Sequence, residues 1–289
     1  MPTSTTAPPR PHLQPRIVIQ GVRGAFHEIA ARQLFGAAIE VIPAHSFDEL
    51  VRTSADARLS DAAVMAIENS LAGSILGNYL LLQNSDLRIT GELMLPIRQN
   101  LLALPGASMA DLREVHSHPM ALAQCSAFFR AHPGIRLVES EDTAQSAAYI
   151  AEHQLRHAGA IGSSLAAELY GLNTLAAGIE TNPANVTRFL ALQRRETTTA
   201  IRGADKVSVS FALPHQPGSL SRILSMLAAQ SANLTKIQSV PLVGRVGEYL
   251  FLVDFTVRNP AVLPTALRLL DVMTEDCKVF GIYRSATLA

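Results

Sequence analysis

The chain has 289 residues, with 24 Lys+Arg against 24 Asp+Glu and a formal charge of zero. So even a balance gives no electrostatic reason to expect nucleic acid or an anionic membrane as a partner. At 48% hydrophobic and 17% charged residues the chain is not globally disordered, and its length argues for roughly two domains at ~150 residues each. The basic residues divide unevenly: Lys206, Lys236 and Lys278 are the only lysines. Residues 1–200 carry 15 basic and 18 acidic side chains, and residues 201–289 carry 9 and 6. Chemistry seated in the first 205 residues therefore uses neither a Schiff-base lysine nor a phosphate-loop lysine.

Taken in chain order, residues 1–15 are rich in Pro and Thr and read as a loose tail, without the apolar centre of a signal peptide. RIVIQ (16–20) reads as a strand, and the glycine turn Gly21-Val22-Arg23-Gly24 leads into a helix over 26–35. AAVMAIE (62–68) is a strand followed by a helical stretch over 69–84. Two strands, 87–95 and 100–106, come without an intervening helix. EVHS (114–117) precedes a helix over 119–132, IRLVES (135–140) a helix over 142–157, and AGAIGS (158–163) a helix over 164–171. VTRFLALQ (186–193) is strand-like and 194–205 a polar connection. Such alternation predicts α/β architecture with mostly parallel sheets. Residues 206–289 follow another order, βαββαβ in about 80 residues, which is a ferredoxin-like small domain. No apolar run reaches ~18 residues, so no transmembrane helix is expected. Cys125 and Cys277 lie far apart with no Cys-x-x-Cys pair, which points to a reducing cytoplasm without disulfides or structural zinc.

The strand-to-helix junctions carry the chemistry. In open α/β sheets ligands bind beyond the carboxyl ends of strands, where helix N-termini present free N–H groups. Glu68-Asn69-Ser70, Ser117-His118-Pro119, Glu141-Asp142-Thr143 and Ser163-Ser164 are polar clusters at such places, and each also reads as ordinary helix capping. Sharing one crevice, they suit a small ligand with carboxylates. Gly21-x-x-Gly24 lacks the first glycine of a dinucleotide fingerprint. His153 and His157 stand four apart but lack the zincin glutamate, so no metal is expected. Cys125 reads as a core residue, and no Gly-x-Ser-x-Gly elbow supports nucleophilic hydrolysis.

Read together, IENS with Gly73, SHP…ALAQC, EDTA, AAELYGL and NVTRF resemble prephenate dehydratase over nearly the whole chain from about residue 16. The C-terminal segment resembles the ACT regulatory domain of that family. The resemblance implies a two-lobed catalytic unit like type II periplasmic binding proteins over 16–195, with one lobe about 16–95 plus 180–195 and the other about 96–179. A linker (196–205) and an ACT domain (206–289) follow. The implied reaction takes prephenate to phenylpyruvate, water and carbon dioxide, in phenylalanine biosynthesis. Aromatisation supplies the drive, so no cofactor is needed and the protein must position a dianion and donate hydrogen bonds.

By motif match Thr187 donates to the departing hydroxyl, and a protonated Glu141 or Glu68 is the alternative proton source. Asn69, Ser70, Ser117, Gln124, Thr143, Arg188 and Phe189 match substrate-binding positions. Strand alternation puts Thr187 and Phe189 on one face and Arg188 on the other, leaving Arg188 either a substrate-carboxylate ligand or a structural ion-pair partner.

The sequence departs from the family at His27, where Ser or Thr is usual, and in two effector motifs. Gly218-Ser219-Leu220-Ser221 stands for Gly-Ala-Leu-Val, and Gln238-Ser239-Val240-Pro241 for Glu-Ser-Arg-Pro. Asn233 and Leu234 are retained. The resemblance implies an effector, L-phenylalanine or another amino acid, at an ACT–ACT interface, or an ACT domain kept only for dimerisation. A homodimer or homotetramer is the implied assembly, and only the tail precedes the first strand, leaving no room for a fused chorismate mutase. Two rivals are an arogenate dehydratase and a non-catalytic two-lobed small-molecule sensor.

Overall fold

The computed structural model describes residues 14–198, 201–242 and 248–286. The predicted tail lies almost wholly outside the described residues, as do two residues of the predicted linker. The chain begins with β1 (Arg16–Gln20), α1 (Phe26–Phe35), β2 (Glu40–Ala44), α2 (Phe47–Ala55), β3 (Ala62–Asn69), the two-residue β4 (Gly73–Ser74), α3 (Leu76–Gln83) and β5 (Leu87–Pro96). It then leaves for β6 (Asn100–Ala103), β7 (Glu114–Ser117), α4 (Pro119–Gln124), α5 (Ser126–Arg130), β8 (Arg136–Glu139), α6 (Thr143–Glu152), β9 (Ala158–Gly162), α7 (Ser164–Tyr170) and β10 (Asn173–Ala176), and returns as β11 (Val186–Arg194). The last unit is β12 (Lys206–Ala212), α8 (Ser219–Ala229), β13 (Ala232–Pro241), β14 (Tyr249–Val257), α9 (Leu263–Met273) and β15 (Glu275–Tyr283).

Three sheets result, ordered β2-β1-β3-β11-β5 with β4 beside β3, β10-β6-β9-β7-β8, and β13-β14-β12-β15. The first two are the lobes of a periplasmic-binding-protein-like unit, and the third is the βαββαβ C-terminal unit. Ile17, Val18 and Ile19 of the central strand β1 are wholly buried, as a strand covered on both faces requires. The sheets are mixed rather than mostly parallel, because β11 runs antiparallel to both β3 and β5, and β6 antiparallel to β9 and β10. A chain that departs after β5 and comes back as β11 enters the first sheet from the opposite end.

Other departures from the sequence reading have local causes. The structure adds β2, α2 and β10. The stretch expected to be helical from 69 is instead a turn and β4, because Asn69 Oδ1 accepts the N–H groups of Leu71 and Ala72, each at 3.0 Å, and Gly73 takes φ +81°. The helix expected over 119–132 breaks at Cys125: the returning Thr181 N–H takes the Gln124 carbonyl (2.7 Å) and Thr181 Oγ1 accepts from Ala127 N–H (3.2 Å). That over 142–157 stops at Glu152, with Gln154 left-handed at φ 52°, so His153 and His157 do not share a helix face.

The C-terminal sheet lies against the first lobe, and one apolar core spans both: Met65, Leu82, Ile89 and Leu190 pack with Leu250, Leu252 and Phe280. All three lysines of the chain serve this contact. Lys206 Nζ donates to both oxygens of Glu92 (2.8 and 2.9 Å). Lys278 Nζ meets the carbonyls of Leu82, Gln83 and Ser85 at 3.0, 2.7 and 2.6 Å, capping the negative end of α3. Lys236 Nζ donates to Ser74 Oγ and lies 3.7 Å from Glu68. The lysine-free part is thus held by the lysine-bearing part.

Candidate functional site

The carboxyl ends of the strands in the two lobes face each other. On one side of the opening the lobes touch through the glycine turn. Ser163 Oγ, the N-cap of α7, donates to the Gly24 carbonyl (2.6 Å), and Tyr170 Oη donates to the Arg23 carbonyl (2.6 Å). Gly21 and Gly24 take φ +92° and +88°, and a Cβ at either would lie 2.7 Å from Asp142 Oδ2 or 3.0 Å from Ala166 Cα. Both positions therefore need glycine for conformation and for close approach. Asp142 caps α6 through Ala144 and Gln145 N–H, and burial raises its carboxyl above the ordinary value against those hydrogen bonds.

On the other side, Thr187 enters at the start of β11 directly opposite Asn69 at the end of β3. Two backbone N–H groups hold Asn69 Oδ1, which fixes the amide so that Nδ2 is the end facing β11. Nδ2 donates to Thr187 Oγ1 (3.0 Å) and to Asn185 Oδ1 (2.7 Å). Thr187 Oγ1 is thereby an acceptor from Asn69, and its own proton has no acceptor among the described residues. Thr187 is 8% exposed, so that proton is a shielded donor held ready for an incoming oxygen.

A cavity of about 290 Å³ opens beside this group, lined by Leu71, Gln124, Glu180, Asn182 and Asn185 among others. It lies between Leu71 of the first lobe, Gln124 and Ser126 of the second, and the segment 180–185 that leads into β11. Gln124 Oε1 accepts from Gln99 Nε2 (3.3 Å), while Glu180 pairs with Arg98 (2.8 Å) and accepts from Gln99 N–H (2.9 Å). Of the sequence-derived candidates Gln124 lines the cavity, while Asn69 and Thr187 adjoin it through Asn185, which lines it and accepts from Asn69. Asn185 was not among them. Its signal was its place two residues before Thr187, which the strand period puts on the same face.

Several expected site residues do not line this cavity and make other contacts. Glu68 pairs with Arg188 in register, so its carboxylate lies on the opposite sheet face from Thr187, 3.7 Å from Arg188 and Lys236. Arg188 is 5% exposed. Its Nε donates to Glu92 (2.7 Å), Nη1 to Asp254 (2.5 Å) and Nη2 to Tyr283 Oη (2.9 Å). It is the structural ion-pair partner of the two alternatives. Phe189 is core, packed edge-on to His27 at 5.0 Å. Ser70 Oγ donates to the Ala184 carbonyl and accepts from Val186 N–H, both at 3.0 Å, pinning the approach to β11. Ser117 is wholly buried and donates to the Ile161 carbonyl (3.0 Å). Glu141 is exposed in a separate recess with His116, Ser140 and Tyr149, all from the second lobe. Thr143 sits half-buried in the first turn of α6, with no hydroxyl partner among the described residues.

His27 stands between Phe47 and Phe189, and its Nε2 accepts from Ala66 N–H (3.3 Å). That N–H borders the irregularity where the pairing of β11 with β3 shifts between Arg188 and Phe189. Burial pushes the imidazole down to about 3, so it is neutral. Among the described residues no group of three or more His, Cys, Asp or Glu could hold a metal, and no helix is long and apolar enough to cross a membrane.

In the C-terminal unit Gly218 caps α8 at φ +82°, with Ser219 and Leu220 in the first turn. Asn233 and Leu234 begin the edge strand β13, and Gln238 and Ser239 lie toward its far end. The register pairs Ala212, Leu250 and Val240 at one end of the sheet and Lys206, Thr256 and Asn233 at the other. Asn233 is thus ~23 Å of strand from the end that carries the Gly218 turn. Within one chain Asn233 and the Gly218 turn therefore do not share a pocket, whereas Gln238 and Ser239 lie toward the Gly218 end.

Residues 17–197 match the family model "Prephenate dehydratase". "Arogenate dehydratase 2" of Petunia hybrida is 44% identical over 227 residues, covering 78% of this chain, which spans only 57% of that relative. A prephenate dehydratase of Arthrobacter aurescens, solved in complex with L-Phe, superposes with a TM-score of 0.83 at 32% identity over 95% of this chain and 93% of its own. A protein described as GqqA, a novel type of quorum quenching acylases, gives 0.84 at 33% identity over 94% and 98%. On the matched core, the shared two-lobed architecture and the Asn69–Thr187 pairing at its cleft, the chain belongs to the prephenate dehydratase family.

Proposed function

We propose that the chain converts prephenate to phenylpyruvate, and that Thr187 drives the departure of the ring hydroxyl. One observation carries the reading: Asn69 donates to Thr187 Oγ1, leaving the threonine proton as an unspent donor in a shielded cleft. In the reaction the bond from the ring to its carboxylate carbon breaks, releasing carbon dioxide, and its electron pair enters the ring. The carbon–oxygen bond at the opposite ring position breaks with its pair on oxygen. The Thr187 hydrogen bond stabilises that developing charge, and a proton from solvent completes the water. Glu68 faces the other side of its sheet and Glu141 lines a separate recess, which supports solvent as the proton source. Amide hydrolysis, the activity in the description of one structural neighbour, needs a base beside its nucleophile. The side chains bonded around Thr187 are amides, and burial pushes the Cys125 thiol up to about 12, so dehydration is the favoured chemistry.

Arogenate, with an amine for the ketone, is the second substrate to test, because the Petunia hybrida relative above is named an arogenate dehydratase. Phenylpyruvate formation from prephenate, followed by ultraviolet absorbance beside phenylalanine formation from arogenate, decides between them. Inertness toward both overturns the reading.

The C-terminal unit is proposed to be an ACT domain that binds an amino acid across two copies of the chain, which supports a homodimer or homotetramer. The separation of the Gly218 turn from Asn233 along one sheet is the supporting geometry. Heat on titration with L-phenylalanine supports it, and no heat with phenylalanine, tyrosine or methionine counts against it. The free, separate Cys125 and Cys277 agree with a cytoplasmic setting.

A further inference from the structure

Two buried side-chain atoms near the cleft lack partners, and they are of opposite kinds. Asn185 is 1% exposed, and because its Oδ1 accepts from Asn69, its Nδ2 is the end left over, with two protons and no acceptor. Gln99 is 3% exposed. Its Nε2 donates to Gln124 and its Oε1 has no donor. An unmade buried hydrogen bond costs about 1–3 kcal/mol, so the orphan Asn185 Nδ2, on a residue that lines the cavity, marks a place built for a guest. Asn185 and Gln124 both line the 290 Å³ cavity.

The guest's polar group is constrained by charge and by hydrogen-bond type. Glu180, whose side chain is 2% exposed, lines the same cavity. Its cationic partner, Arg98, is already spent on it, so a substrate carboxylate set there would find no free counter-charge among the lining residues. The orphan Asn185 donor asks for an acceptor oxygen, and with no cation lining the cavity a neutral hydroxyl suits it better than a carboxylate.

We infer that Asn185 is a substrate contact whose Nδ2 donates to the same ring hydroxyl oxygen that Thr187 polarises. Asn69 then serves as the shared clamp: one Nδ2 fixes the acceptor ends of Asn185 and Thr187, so that both free donors are offered to the guest. The ring carboxylate is kept away from this end of the cavity by Glu180. This assignment rests on the dehydratase reading proposed above.

The test uses Asn185→Asp and Asn185→Ala in the full chain. Asn185→Asp keeps an oxygen for Asn69 and puts a charged acceptor where the Nδ2 donor stood. Asn185→Ala removes both without adding charge. Each is expected to lower kcat for prephenate by ~100-fold or more, as loss of one transition-state donor does, with KM within a few-fold and the melting temperature close to wild type. Wild-type kcat in either folded variant overturns the inference. So does a loss of activity that only follows a loss of folded protein. If Thr187→Ala is inactive while Asn185→Asp is fully active, the Asn185 assignment alone fails. A wild-type chain inert toward prephenate takes the dehydratase reading down with it.

Discussion

His27→Gln is expected to flatten the acid limb of the stability curve. The imidazole sits between two phenyl rings and accepts the Ala66 N–H. Burial is the sole cause that pushes it down from 6.5 to about 3. The unfolded chain therefore binds a proton below pH 6.5 that the folded chain refuses. Stability present above pH 6.5 is lost as pH falls toward the folded value. Between pH 7.5 and 5.5 the loss is about 1.4 kcal/mol for one such group, a figure that holds for any folded value below about 4.5. Gln keeps an acceptor for Ala66 and does not titrate, so its urea or thermal midpoint should fall less over that interval, by ~3–6 °C in a unit of this size. Groups common to both proteins cancel in the difference. Parallel pH curves for the two would show that His27 takes up its proton freely in the fold, and would refute the burial argument.

Two further substitutions probe how the C-terminal sheet is held. Asp254→Ala leaves the Arg188 guanidinium short of a buried anion, which costs about 3–5 kcal/mol; faster proteolysis of the connection near residues 195–205 is the expected readout, and an unchanged rate would contradict the ion-pair role. Gly281→Ala builds a methyl that overlaps the Ile89 carbonyl and lies 2.7 Å from Ile89 Cβ. It should force β15 off β5 at ~1–3 kcal/mol, and a wild-type melting curve would refute that close packing.

The parts of this account legible in the sequence were those set by local period and motif. Alternation along VTRF separated Thr187 from Arg188, and the βαββαβ order of the last unit followed from strand and helix patterning alone. Glu68 adjoins Asn69 in one polar cluster of the sequence, yet a strand sends adjacent side chains to opposite faces, and Glu68 falls beside Arg188. The short strand EVIPA carries an interior proline and only a brief apolar run, so β2 gave little signal. The docking lysines were visible as a composition boundary, but their targets on Glu92 and on the end of α3 arise only when two distant segments pack. Asn185 needed the amide network around Asn69 before its free donor could be seen.

The most direct test of the central claim is the turnover of prephenate by Thr187→Ala beside wild type, in protein shown to be folded by its melting curve. The account predicts that the variant forms phenylpyruvate ~100-fold more slowly or worse, because the shielded donor to the leaving hydroxyl is gone. Wild-type turnover by the folded variant would contradict it.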